Sequence, residues 1–171
     1  MKTLLILRHG KSSWASSDLA DHDRPLKPRG EKAARRIGRE IRKRGLALDL
    51  IVSSTARRAR ETAALAAEAA GYDGEITLTQ ELYLSGAKHQ LATVAEHAGT
   101  SGHRKAAGCV MMVGHNPTLE DVVEHLTGED VRLTTGNLAR IELDIPSWDE
   151  LPDAAGRLDF VLRPRELAAT S

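Results

Sequence analysis

A chain of 171 residues with 24 basic residues balancing 24 acidic ones, a single cysteine and only 3% aromatic residues is long enough for one domain with a real core. That core must be aliphatic. Zero net charge gives no support to a nucleic-acid binder or a polybasic membrane protein, and one thiol excludes an internal disulfide framework or a cysteine-based metal site.

The first element, residues 3–7, is continuously apolar, too short for a typical helix and punctuated by Gly10, which predicts a buried strand of a parallel sheet. It meets Arg8 too soon to be a signal peptide or a membrane span, so a cytoplasmic enzyme is the default expectation. In open α/β sheets ligands bind beyond the carboxyl ends of the strands, where Arg8 and His9 would stand. A neutral imidazole is a good nucleophile at phosphorus, and a guanidinium beside it can hold phosphoryl oxygens by paired hydrogen bonds. The plainer reading of the tripeptide is a strand end followed by a polar turn. Gly10-Lys11-Ser12 resembles the tail of a P-loop, but Leu5 stands where that motif needs a glycine.

Residues 16–28 are polar and lead into a helix. Asp21, His22 and Asp23 within them suit turn and capping roles better than metal ligation, since sequence neighbours rarely converge on one ion. Arg24 lies in a loop able to fold back over the first strand end. Residues 30–44 read as a helix with Ala33, Ile37 and Ile41 four apart and Gly45 as its stop. Between 24 and 60 there are thirteen Lys/Arg against three Asp/Glu, so the charge is locally basic although the total is neutral. An anionic substrate would feel that field.

A second strand over 48–52 ends in Ser53-Ser54 and is followed by an alanine-rich helix over 56–70, repeating the first unit. Such repetition argues for βαβ crossovers and a parallel sheet. Arg57, Arg58 and Arg60 fall at the start of that helix, where its dipole disfavours cations unless an anion sits nearby; spacing alone does not choose among them. Further along come a strand over 76–79, a helix over 87–98 burying Leu91, Val94 and Ala98, and a polar loop over 99–108 containing His103. A strand over 109–113 then closes in Gly114-His115-Asn116-Pro117 before a helix over 118–126 with Val122 and Val123 inward. His115 is thus a second histidine at the end of an apolar strand, on the rim where anions bind. Cys109, at the opposite strand end, reads as a small core residue. Residues 141–145 and 160–162 read as closing edge strands joined by a long loop. No repeat or linker divides the chain, so one domain over 1–171 is expected, with a frayed tail from about 164.

Leu7-Arg8-His9-Gly10, Arg24-Pro25-Leu26 with Arg29-Gly30, Ser54 with Arg58-Ala59 and Thr62, and Gly114-His115-Asn116, in this order, resemble the histidine phosphatase superfamily, the phosphoglycerate-mutase-like enzymes. The wording of residues 8–14 and 21–26 is most similar to the short SixA-type phosphohistidine phosphatases. The resemblance spans residues 1–144 and implies a three-layer αβα sandwich around a mostly parallel sheet. It implies that His9 is the transiently phosphorylated nucleophile, that Arg8 and Arg58 are phosphate ligands, and that His115 is the second histidine. Arg24, Ser54, Gly114 and Asn116 fall on further phosphate-binding positions. Ser54-Thr55 stands where the family usually has Ser-Pro.

On this reading His9 must be neutral to attack while His115 helps most when protonated, which predicts opposite pH limbs. Glu81 is the sole candidate for the carboxylic acid that protonates an alcohol leaving group in larger relatives, and an exposed loop glutamate is its simpler reading. An alkoxide leaves badly without an acid, but an imidazole with a pKa around 6.5 leaves readily. Residues 56–108 are also consumed by helix, strand and helix, leaving little chain for a lid. The expectation is therefore a phosphohistidine phosphatase, independent of metal or cofactor, acting on a phosphohistidine-bearing protein with no nucleic acid or membrane involved. A phosphomonoesterase or mutase for a small metabolite, or a non-catalytic phosphoprotein-binding module, are the alternatives.

Overall fold

The computed structural model describes residues 1–16, 18–100 and 107–167, with no account of the Thr100 side chain; His103 lies outside them. Six strands, β1 (Lys2–Arg8), β2 (Leu50–Ser54), β3 (Ile76–Thr79), β4 (Cys109–Gly114), β5 (Leu138–Leu143) and β6 (Gly156–Leu162), form one sheet. Its order is β3-β2-β4-β1-β5-β6. The first four strands are parallel, β5 runs antiparallel to β1, and β6 runs antiparallel to β5. Parallel strands need crossovers, supplied by the helices α1 (Pro28–Lys43), α2 (Arg57–Ala70) and α3 (Ala87–Thr100), while α4 (Thr118–Thr127) leads from β4 to β5.

Because β1, β2 and β4 are covered on both faces, they carry no polar alternation: Leu4, Leu5, Ile6 and Leu7 are all fully buried, as are Val110, Met111, Met112 and Val113. Alternate residues feed two cores. Leu5, Leu7, Ile51 and Met111 pack with Ile37 and Ile41 of α1 and Ala59, Ala63 and Ala66 of α2. Leu4, Ile6, Val52 and Met112 pack with Leu91 and Val94 of α3 and Val122 and Val123 of α4. The result is the three-layer αβα sandwich expected from the sequence.

Small residues set the spacing on the first face. A Cβ on Gly38 would lie 2.3 Å from the Ala66 carbonyl oxygen, so only glycine lets α1 and α2 approach this closely. The buried stripe of α1 is Gly30, Ala34, Ile37, Gly38 and Ile41, with Ala33 half-buried at its edge.

The structure corrects three expectations at the chain's end. The β5 strand begins at Leu138 rather than 141 and is interior, because its side chains alternate into the core between β1 and β6. The loop before β6 contains a short helical segment, Trp148–Asp153, that buries Trp148 and Leu151 against the α3 and α4 core. Residues Pro164–Glu166 form a helical turn with Pro164 buried, so fraying does not begin at 164. Cys109 is a buried core residue, and burial, with the nearby Asp49 carboxylate, raises its thiol pKa to about 12.

Candidate active site

Strand register decides what meets at the sheet's carboxyl edge. Arg8 pairs with Gly114 across β1 and β4, and the His9 N–H donates to the Gly114 carbonyl at 3.1 Å. His9 and His115 are thereby brought side by side, ring centroids 5.1 Å apart. Beyond β2, Ser54 Oγ accepts from the Ala56 N–H at 3.1 Å at the entrance of α2 and lies 2.9 Å from His115 Nε2.

His9 is 7% exposed, and its backbone fixes its tautomer. Nδ1 lies 2.7 Å from the Gly10 carbonyl oxygen; a carbonyl can only accept, so Nδ1 carries the proton and Nε2 keeps its lone pair. Arg58 Nε points at that lone pair from 3.4 Å. Burial, with the charges of Arg58, Arg8 and Arg24 around it, lowers the His9 pKa to about 4. His9 is therefore neutral at physiological pH, with the Nε2 lone pair available.

His115 departs from the expectation. Burial, next to His9 and Arg58, lowers its pKa to about 3, so it too is neutral. Its buried Nδ1 has no partner among the described residues. Nε2 shares a hydrogen bond with the Ser54 hydroxyl, which can donate or accept, and a neutral His115 still offers one N–H donor.

Of the three arginines at the start of α2, the fold selects one. Arg57 pairs with Glu61 one turn on, Arg60 is exposed, and Arg58 is buried against His9. Arg8 places Nη1 on the Leu133 carbonyl at 3.0 Å and leaves its buried Nε unpartnered. Arg24 is buried as well, lying 3.4 Å over the Trp14 ring while Nη1 donates to Ser12 Oγ at 2.8 Å.

Asp21 is the member that sequence reasoning missed. One carboxylate oxygen accepts from Arg24 Nε at 3.1 Å; the other accepts from Arg58 Nη2 at 3.0 Å and from the Tyr83 hydroxyl at 2.7 Å. Its backbone carbonyl takes Arg58 Nη1 at 2.7 Å. The Tyr83 hydroxyl and the arginines hold its pKa down near 2, and burial together with this carboxylate raises that of Tyr83. His22 next to it reaches Thr55 Oγ1 at 2.9 Å. The loop after β1 thus folds back over the first strand end, the course the sequence allowed for the segment that carries Arg24. The available signal was the acidic residue three before Arg24, within ion-pairing reach of it.

Two candidate site residues, Asn116 and Glu81, turn elsewhere, Glu81 to the exposed position of its simpler reading. Asn116 Nδ2 donates to Glu120 Oε2 at 3.0 Å and to the Leu133 carbonyl at 2.7 Å, the same carbonyl that holds Arg8. It acts as a brace for Arg8, and so does Glu120, which accepts the Leu133 N–H at 2.7 Å. Glu81 pairs with His89 on the exposed surface. Among the described residues no group of three or more His, Cys, Asp or Glu could hold a metal ion.

A family model of the histidine phosphatase superfamily (branch 1) matches residues 4–83, and an uncharacterized chloroplastic protein of Arabidopsis thaliana is 30% identical over 152 residues, 87% of this chain and 70% of the relative. The chain belongs to the histidine phosphatase superfamily. It is similar within that superfamily to a SixA structure from Nakamurella multipartitia, with 30% identity, a TM-score of 0.81 and coverage of 95% and 96% of the two chains. A SixA structure from Agrobacterium tumefaciens gives 29% identity, a TM-score of 0.78 and coverage of 95% and 98%. These likenesses mark a SixA-type histidine phosphatase fold, and they support a phosphatase-type enzyme.

Proposed function

We propose that this protein is a phosphohistidine phosphatase, independent of metal, that works through a covalent phospho-His9 intermediate. The observation that carries the reading is the neutral His9 Nε2, its lone pair exposed by the Nδ1 hydrogen bond to Gly10 and flanked by Arg58. In the first step Nε2 attacks phosphorus as the phosphorus–nitrogen bond to the substrate histidine breaks; with the other nitrogen of that ring already protonated, the substrate histidine leaves as a neutral imidazole and His9 keeps its proton on Nδ1. In the second, water attacks phospho-His9, the Nε2–phosphorus bond breaks, and orthophosphate and a proton depart. Arg8 Nε, the His115 imidazole and the Arg58 guanidinium are the donors suited to the phosphoryl oxygens, and most of the acceleration comes from holding them in place before the charge arrives.

Substrate class follows from the acid available. Asp21, the carboxylate in contact with Arg58, stays ionised far below neutrality, so it cannot protonate an alkoxide. A leaving group that departs without strong protonation fits this site, and an imidazole does so. The partner is then a phosphohistidine displayed on a protein, presented in the cytoplasm.

The test is rapid-quench labelling with a phosphohistidine-bearing protein and with a panel of small phosphomonoesters. Acid-labile phosphate should map to His9, vanish in His9→Ala, and form fastest from phosphohistidine. Faster labelling from a metabolite would reassign the substrate, and turnover with no label on His9 would overturn the mechanism.

A further inference from the structure

The basic excess noted between residues 24 and 60 is not fully absorbed by the candidate active site. Arg29, Lys32 and Arg36 recur along α1, and with Lys11 and Arg165 they line a cavity of about 300 Å³ between α1, residues 134–137 and the Pro164–Glu166 turn. Among the described residues no carboxylate lines it. Some cations elsewhere find acids: Arg57 takes Glu61, Arg44 takes Glu40, Arg140 takes Asp159 and Lys88 takes Asp153. None of the five cavity cations forms an ion pair among the described residues.

The cavity is built rather than incidental. Gly136 on its floor takes a positive φ of 78°, and a Cβ there would sit 3.3 Å from Ala33 and 3.4 Å from Pro164, so three segments meet at glycine alone. The Gly136 N–H reaches the carbonyls of both Arg8 and His9, at 3.1 and 2.9 Å, and the Arg8 N–H donates to the Asn137 carbonyl at 3.0 Å. The segment that carries Thr134, Thr135 and Asn137 is thereby tied to the strand end that carries His9, while neither His9 nor Arg58 lines the cavity. Its neutral polar lining consists of Thr134, Thr135 and the buried Asn137.

We propose that this cavity is a second anion-binding site, distinct from the one around His9, shaped for a compact molecule carrying two or more phosphoryl groups. Five like charges line one cavity and repel one another until an anion neutralises them. One phosphate dianion leaves most of that charge uncompensated, whereas a polyphosphate answers several cations at once. The hydroxyls of Thr134 and Thr135 add donors suited to phosphoryl oxygens. No aromatic side chain lines the cavity, so nothing offers a stacking surface to a nucleobase, and the ligand is defined by its phosphates.

The experiment is calorimetric titration of the full chain with inorganic tripolyphosphate and, separately, orthophosphate at a fixed ionic strength of about 0.15 M. In a His9→Ala/Arg58→Ala background, which removes the first anion site, tripolyphosphate should still bind at one equivalent. Orthophosphate should bind at least tenfold more weakly. Adding Lys32→Ala and Arg36→Ala, both solvent-accessible helix positions, should weaken tripolyphosphate at least tenfold while the unfolding midpoint stays in place. In the unaltered chain, the amide resonances of Thr134, Thr135 and Lys32 should shift together on titration, along a curve separate from that of His9. Loss of all binding in the His9→Ala/Arg58→Ala background with those amides unmoved in the unaltered chain, unchanged binding after the Lys32 and Arg36 substitutions, or equal affinity for the two anions would each overturn the proposal.

Discussion

Arg58 illustrates how much one side chain is asked to do. Its three nitrogens reach His9 Nε2, the Asp21 carbonyl and the Asp21 carboxylate at once, which a planar fork can do and a point charge cannot. Arg58→Lys keeps the charge and loses that geometry. Its kcat/KM on phosphohistidine should fall by about a hundredfold or more, about 2.7 kcal/mol of transition-state stabilisation, with the unfolding midpoint nearly unchanged. The two histidines make a second prediction at this scale. Sequence reasoning set His9 and His115 on opposite pH limbs, but burial holds both neutral, at about 4 and about 3. In the free protein their ring C2 proton resonances should show no titration between pH 8 and pH 5. A midpoint near 6.5 for either would contradict the neutral pair.

At the scale of elements, the site depends on how tightly the loop after β1 passes the start of α1. A Cβ on Gly30 would fall 2.3 Å from the Lys11 carbonyl oxygen and 2.8 Å from its nitrogen, while one on Gly10 would fall 2.8 Å from the Gly30 oxygen. These are backbone atoms and cannot rotate away. Gly30→Ala should therefore destabilise the fold by about 1–3 kcal/mol, as overpacking does, and displace the segment that carries His9. Gly86→Ala, with open space around it and an ordinary φ, should change stability by less than about 0.5 kcal/mol. Chemical denaturation of the two variants checks both. Thr62 belongs to the same joint: its hydroxyl accepts the Gly10 N–H at 3.0 Å and donates to the Arg58 carbonyl at 2.7 Å, linking α2 to the His9 loop.

For the whole molecule, a preorganised anion site carries a cost in acid. A histidine whose folded pKa lies below its unfolded value binds fewer protons folded than unfolded, so stability is complete above about pH 6.5 and declines as pH falls toward the folded value. His9 and His115 both have this sign. Between pH 6.5 and 4.5 they should remove roughly 2 kcal/mol or more from the unfolding free energy. Denaturant unfolding of a His9→Gln/His115→Gln variant should show a correspondingly flatter pH dependence over that window. Equal slopes would mean that other groups govern acid stability. Asp21 acts later and in the same sense: its pKa is depressed to near 2, so its contribution fades only as pH drops below the ordinary carboxylate range.

The sequence by itself determined the layers and the strand ends. Unbroken apolar runs at Leu4–Leu7 and Val110–Val113 can be buried on both faces only in a parallel sheet, and a polar residue directly after such a run must emerge at its carboxyl edge. His9, Arg8 and His115 were legible for that reason, because their placement needs nothing beyond strand direction. What depended on contacts between segments distant in the chain was left to the tertiary structure. Helical spacing could not choose between Arg57 and Arg58, since the choice lies with Asp21 and His9 across the site. Asn116 looked like a ligand because it follows His115, but Glu120 and the Leu133 carbonyl draw its amide away. Asp21 looked like a turn residue until Arg24, Arg58 and Tyr83 converged on it. The protonation of His115 was misjudged for the same reason: a pKa is set by desolvation and by neighbouring charges, and both exist only once the chain has folded.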